Sequence, residues 1–308
     1  MRIAVIDLGT NTFNLLIAKV DGNKSFTIEV NTKQAVKLGK GGINNKTILP
    51  EAMERGLKAI ESHMQVIHHV GVDKTFAFAT SAIRSASNGS HFVNLLKERH
   101  NLHVEVITGD HEAELIYRGV TQAVDLSSEK HLIMDIGGGS NELIIANHQE
   151  IFFKHSFPLG ISRLLDKFKP SDPITAEEIS QVEEYLEKEL QLLFDAAAIH
   201  KPKVLVGSSG SFDTYRSVLT NGADPCKPPS FMIEMQAYKQ LHQQLLKSTM
   251  AERMAMPGME AMRVEMIVLA SIFTRLVIKK IGITHMVQSC YALKEGAVWD
   301  IVNNNHLE

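Results

Sequence analysis

Three short runs of small residues carry the groups from which a phosphate site is built. Gly9-Thr10-Asn11-Thr12 and Gly137-Gly138-Gly139-Ser140 each follow an apolar run containing an acid, Asp7 or Asp135. Gly207-Ser208-Ser209-Gly210-Ser211 follows the apolar Lys203–Val206 and precedes a helical pattern starting near Phe212. Turns without bulky side chains let backbone N–H groups converge on one concavity, where they bind phosphate oxygens. The hydroxyls of Thr10, Thr12 and Ser140 would add donors. In the third run a strand, a glycine loop and a helix amino terminus follow one another, so the helix dipole also favours an anion. It is not a Walker A loop, because no Gly-Lys-Ser/Thr follows. The plainer reading of the first two runs is that Asn-Thr and Gly-Gly turns merely close hairpins. A matched pair, each preceded by an Asp that a hairpin does not need, favours phosphate.

Acids and an arginine surround these runs. Asp135 and Glu142 bracket the second turn, and two carboxylates beside a phosphate nest suit Mg²⁺, which takes one or two hard oxygen ligands and fills the rest with water and phosphate. The alternative is a solvated edge pair, but Glu142 lies in an otherwise apolar strand, where a charge needs a reason. Asp7 holds the matching place before the first turn and joins them as a candidate metal ligand. In Asp110-His111-Glu112-Ala113-Glu114 the acids suit a first helical turn through the dipole alone. Glu112 stands out because it follows a strand whose carboxyl end, in an α/β sheet, lies at the ligand crevice. Arg84 likewise follows a strand end, where it either forks onto a phosphate or pairs with Glu112. The fourteen histidines form no HExxH or Cys/His pattern and read as ordinary surface or core residues.

The elements that must position these groups follow an α/β pattern. Arg2–Leu8, Asn14–Val20 and Ser25–Val30 read as a β-meander with turns at 9–11 and 21–23. A helix over 50–70, a strand Lys74–Thr80, a helix Ser90–His100, a strand His103–Thr108 and a helix Asp110–Val124 complete a first lobe. The chain then starts again. Residues 7–18 lie without gaps on residues 135–146, an offset of 128, with five of twelve positions identical. That predicts a duplicated domain with one hairpin per half and a boundary in the polar stretch 125–130, giving lobes 1–124 and 125–308. The second lobe adds helices Ala176–Ala198, Ser211–Leu219, Glu234–Ser248 and Glu260–Ile281.

Composition bounds the function. With 308 residues, 44% hydrophobic and 22% charged, the chain is long enough for two well-filled cores and is neither disordered nor collagenous. A net charge of -3 excludes a nucleic-acid binder working by bulk positive charge, although the lobes divide as +2 and -5. Two cysteines, Cys226 and Cys290, are too few for a disulfide framework and suit a reducing compartment. An acid at position 7 argues against a signal peptide, and no apolar run approaches the roughly 18 residues of a membrane span. The expected compartment is the cytoplasm.

In order along the chain, Asp7–Phe13, Ala79–Ala86 ending in the Ile83-Arg84 region, Ile107-Thr108-Gly109 with Glu112-Ala113, Leu115–Val120, Asp135–Leu143, Pro158-Leu159-Gly160, Gly207–Ser211 and Leu293-Lys294-Glu295-Gly296 resemble the exopolyphosphatase / guanosine pentaphosphate phosphohydrolase family. The resemblance implies two ribonuclease-H-like lobes of the actin, sugar kinase and heat-shock ATPase superfamily, with the site in an interdomain cleft. It implies hydrolysis of terminal phosphoanhydride bonds of inorganic polyphosphate or of guanosine pentaphosphate, with Mg²⁺ or another divalent cation. Carried across, Glu112 matches the catalytic glutamate and Arg84 a phosphate-contacting arginine. Asp135 and Glu142 match residues near the metal, and the three small-residue loops match phosphate cradles. His111, Asn141 and Lys294 depart from the residues usual in the family, which narrows the catalytic acid to Glu112 and weakens one hydroxyl contact to phosphate at Asn141. Many relatives continue into a further helical domain, so weak processivity on long chains is expected here. A homodimer is the expected assembly, with no membrane or nucleic-acid partner. Two other readings stay open: an ATP-dependent kinase or ATPase of the same superfamily, and a non-catalytic polyphosphate- or alarmone-binding protein.

Overall fold

The computed structural model describes residues 1–21, 24–223 and 226–304. By its internal contacts the chain divides into two compact units, one of Met1–Gly119 with residues 292–304, the other of Val120–Tyr291. The first contains strands β1 (Arg2–Leu8), β2 (Thr12–Val20), β3 (Phe26–Ala35), β4 (Lys74–Ala79) and β5 (Val104–Val106) in the order β3-β2-β1-β4-β5. β1, β2 and β3 form an antiparallel meander, and β4 and β5 continue the sheet parallel to β1. Ala4, Ile6 and Leu8 join the core shared with the helix Pro50–Val70. By strand alternation Ile3 and Val5 point to the opposite face, yet they too are buried. The helix Leu293–Asn303, which packs on β1 and β2, covers that face. A strand apolar on both sides needs two covers. This is why the last helix belongs with the first unit, where the sequence division at 124/125 left it with the second.

The second unit contains β6 (His131–Ile136), β7 (Asn141–Ala146), β8 (Ile151–Phe157), β9 (Val204–Ser208), β10 (Ser230–Ile233) and β11 (His285–Ser289) in the order β10-β11-β9-β6-β7-β8. Here β6, β7 and β8 are the meander, β9 is parallel to β6 and β11 parallel to β9, with β10 added antiparallel at the edge. The second sheet therefore repeats the first. Asp7 pairs with Asn14 and Asp135 with Glu142, the same register at the offset read from the sequence. Both units have the ribonuclease-H-like α/β arrangement. The helix Ile267–Ile281 is apolar almost all round and runs through the second core.

Several boundaries differ from expectation. The helix read over 176–198 is two, Ala176–Glu189 and Gln191–His200, meeting at the buried Leu190. The helix read over 260–281 begins only at Ile267, because 260–266 runs in tight turns in which Arg263 N–H donates to Glu260 O (2.8 Å) and Met266 N–H to Arg263 O (2.9 Å). The turn read at 21–23 includes residues 22 and 23, which lie outside the described residues. The two cysteines are joined as a disulfide, Cys226 to Cys290, with Cα atoms 5.7 Å apart. No described helix is long and apolar enough to cross a membrane.

A polar thread runs inside the second core. His242 is buried beside Tyr238, with Nδ1 2.7 Å from Ser271 Oγ, and burial pushes its pKa from 6.5 down to about 4, helped by the nearby Arg275 charge. The native state thus holds His242 neutral while the unfolded chain takes up a proton near pH 6.5. Stability from this group is full above pH 6.5 and drains as pH falls toward 4, by about 3 kcal/mol in total. Denaturant midpoints measured between pH 7 and pH 4 should fall more steeply for the wild type than for His242→Gln; parallel curves would rule out this source of acid sensitivity.

Candidate active site

In the first unit β1, β4 and β5 are parallel, so their carboxyl ends share one edge of the sheet. The turn after β1, the short helix Ser81–Ser85 after β4 and the helix Gly109–Ala123 after β5 all start there. This edge brings Arg84 and Glu112 together. Arg84 Nη1 donates to Glu112 Oε2 at 2.8 Å and to Ile107 O at 2.9 Å. Glu112 is buried and Arg84 about one quarter exposed. Of the two fates read for Arg84, pairing with Glu112 is the one observed in the protein alone. The pair fixes the orientation of the carboxylate.

The turn Gly9–Thr12 is closed by Gly9 N–H donating to Thr12 O at 3.1 Å. Its outer carbonyls are engaged by the segment that follows β3: Asn11 O accepts from the N–H of Val36 (2.8 Å) and Lys37 (2.9 Å), and Thr10 O from Gly39 (3.3 Å). In a trans peptide the N–H points opposite to the C=O. The N–H groups of Asn11 and Thr12 therefore face away from that segment. Thr10 Oγ1 is buried and has no hydrogen-bond partner among the described residues. Asp7 accepts from Asn14 Nδ2 at 2.9 Å, so where the second unit has a pair of carboxylates this one has a carboxylate and an amide.

The second turn is built in the same way. Gly137 N–H donates to Ser140 O at 3.1 Å, and a Cβ on Gly137 would sit 2.5 Å from that oxygen. The start of the helix Ile161–Phe168 takes up the carbonyls: Ile161 N–H bonds Gly137 O (3.0 Å), Ser162 N–H bonds Gly138 O (2.9 Å) and Arg163 Nε bonds Gly139 O (2.7 Å). The N–H groups of Gly138, Gly139 and Ser140 are thereby turned to the other side. Gly160, at the helix cap, lies against the backbone of Gly138 and Gly139 and has no room for a Cβ.

Asp135 and Glu142 face each other across β6 and β7, both buried. Glu142 Oε1 accepts from Ser140 Oγ and Ser156 Oγ, each at 2.6 Å. Asp135 Oδ2 accepts from Ser208 Oγ (2.8 Å) and Ser209 Oγ (2.6 Å). Three serines read from the sequence as phosphate donors thus spend their hydroxyls on the two acids. Because β9 is parallel to β6, the third loop Gly207–Ser211 stands at the same sheet edge as the second turn. Ser209 adopts a positive φ of 66° and opens the helix Ser209–Leu219. Two buried carboxylates on facing strands suit a hard divalent cation.

Arg263 is the residue that the sequence reading missed. Its guanidinium lies flat against Gly210, where any Cβ would collide with it. Nε is buried without an acceptor among the described residues. Burial holds the guanidinium below the usual arginine range, opposed by the charges of Asp213, Glu260 and Asp135. The only sequence signal was a charge interrupting the apolar stretch 262–283.

Residues 16–305 match the Ppx/GppA phosphatase family. The chain belongs to that family. Its fold is similar to that of an exopolyphosphatase from Cytophaga hutchinsonii, at 38% identity, with 99% of this chain and 98% of that one covered and a TM-score of 0.95. The PPX-GPPA enzyme of Aquifex aeolicus is similar at 25% identity, 97% and 99% coverage and a TM-score of 0.81.

Asn141, Lys294 and His111, set apart in the sequence, have structural surroundings of their own. Asn141 pins the second turn, accepting from Gly137 N–H (3.1 Å) and donating to Leu159 O (2.9 Å). Lys294 Nζ lies 3.0 Å from Glu295 Oε1, a fully buried carboxylate that also caps its helix. His111 is half-buried, 3.9 Å from Glu105, which leaves Glu112 as the buried acid of that turn.

Proposed function

We propose that this Ppx/GppA phosphatase removes terminal phosphate from inorganic polyphosphate, with guanosine pentaphosphate as a second substrate. The observation that carries the reading is the matched pair of hairpin turns whose carbonyls are engaged from behind. Each presents successive N–H groups, the arrangement that binds phosphoryl oxygens. Arg263 across Gly210 and the Thr10 hydroxyl add donors that are buried and unanswered among the described residues. Phosphoryl groups are the ligand chemistry that donors of this kind recognise.

Asp135 and Glu142 would hold Mg²⁺ or another divalent cation, with Asp7 as a further candidate. Such a cation neutralises the charge on the phosphoryl oxygens. Glu112, held by Arg84, takes a proton from water as the water oxygen bonds to the terminal phosphorus. The phosphoanhydride P–O bond breaks, and the electron pair leaves with the shortened chain.

A phosphate-release assay on long polyphosphate, tripolyphosphate, guanosine pentaphosphate and ATP tests the proposal. Release from the first three with little from ATP is expected. Turnover of ATP alone would move the reading to a kinase or ATPase. Tight polyphosphate binding with no release would make the protein a sensor.

A further inference from the structure

The disulfide stands where the third loop can feel it. β11 is parallel to β9, so Cys290, just past the end of β11, lies at the sheet edge that carries Gly207–Ser211, and Gln288 is in register with Gly207. Arg216 and Asp213 project from the helix that this loop opens. The buried Arg216 directs Nη1 at Cys290 Sγ (3.5 Å), Gln288 Oε1 (3.1 Å) and Pro228 O (3.2 Å). Gln288 Nε2 donates to Asp213 Oδ1 (2.8 Å) and approaches Cys290 Sγ at 3.3 Å. The two sulfurs and a carboxylate oxygen of Asp213 lie within 4.8 Å of one another. Asp213 in turn acts on the charge of Arg263, the arginine lying on Gly210. Both cysteines are half-buried, within reach of a small thiol.

We propose that Cys226 and Cys290 form a reversible thiol–disulfide site, with Cys290 as the attacking sulfur, and that its redox state sets the phosphate affinity of the loop Gly207–Ser211. The second half rests on the reading of that loop as a phosphate cradle. A guanidinium and an amide N–H aimed at one sulfur favour its thiolate, which is the nucleophile in exchange. No such pair is directed at Cys226 among the bonds described.

The co-reactant is a low-molecular-weight disulfide. The Cys290 thiolate attacks one of its sulfurs, forming a mixed disulfide and releasing one thiolate. Cys226 gives its proton to solvent and attacks Cys290 Sγ, releasing the second. Two electrons pass from the protein dithiol to the small disulfide, which leaves as two thiols. Excess thiol runs the steps backwards. In the reduced state an anionic sulfur pulls Gln288 Nε2 and Arg216 toward itself. Asp213 loses part of its amide donor, turns to Arg263, and competes with phosphate for the guanidinium.

Two measurements test this. The folded protein, reduced and then exposed to oxidised glutathione, is followed by intact mass. The wild type is expected to end with the internal disulfide and no adduct, and Cys226→Ser to capture one glutathione. Cys290→Ser is expected to capture it about tenfold more slowly, as loss of thiolate character dictates. Equal capture rates for the two variants, or a wild type that keeps both thiols, overturn the site. Kinetics on tripolyphosphate then compare oxidised with reduced protein. Reduction should raise KM several-fold with kcat kept, and the Cys226→Ser/Cys290→Ser double variant should show one KM in both buffers. An unchanged wild-type KM overturns the coupling to the loop. A protein that releases no phosphate in either state refutes the hydrolase, and glutathione capture still decides the thiol site.

Discussion

Glu112→Gln should slow phosphate release by about 10²–10⁴-fold, the usual contribution of a positioned base, while KM stays close to that of the wild type. The substitution keeps the size of a buried side chain and one oxygen for the Arg84 bond of 2.8 Å. What it removes is the ability to accept a proton from water. The first turn is held by the segment 36–39, not by Glu112, so the donors that bind phosphate stay in place. The substrate should therefore still bind. Arg84 is left without its carboxylate partner and becomes more available to phosphate, which pushes KM down if it moves at all. Steady-state kinetics on tripolyphosphate check both parameters. Near-normal turnover would remove Glu112 from the reaction, and a large rise in KM with turnover kept would make it a binding residue.

The hairpins were legible in the sequence because they are local. An apolar strand, a turn of Gly, Ser, Thr or Asn and a second apolar strand have few other ways to fold, and the 128-residue offset fixed their equivalence. Glu112 and Arg84 were legible because both follow strands that must be parallel neighbours in an α/β sheet. Three features needed the tertiary fold. Arg263 comes to Gly210 across 53 residues, through a segment whose apolar spacing reads as helix but whose backbone runs in turns. The helix Leu293–Asn303 declares a buried face but not which sheet it covers. Two cysteines 64 residues apart in sequence do not declare whether they pair until the end of β11 and the segment after residue 225 are placed together.

Asp135→Asn should raise the Mg²⁺ concentration needed for half-maximal rate by at least the roughly 10–100-fold that losing a supporting partner of a metal ligand costs. Asp135 and Glu142 are directly opposite each other on β6 and β7, both buried, and each already takes two serine hydroxyls on one oxygen. Two adjacent carboxylates in a buried setting repel, and a divalent cation relieves that repulsion while using it for affinity. Asparagine keeps an oxygen for Ser208 and Ser209, so the third loop is not released. It removes one negative charge, and the pull on the cation falls with it. Less repulsion between the pair also predicts that the variant without metal is at least as stable as the wild type, a sign opposite to that expected of a structural lesion. A Mg²⁺ titration of phosphate release, run beside a thermal melt in chelator, separates the two. An unchanged titration would take the cation away from Asp135, and a lower melting temperature with the titration unchanged would leave it a purely structural acid.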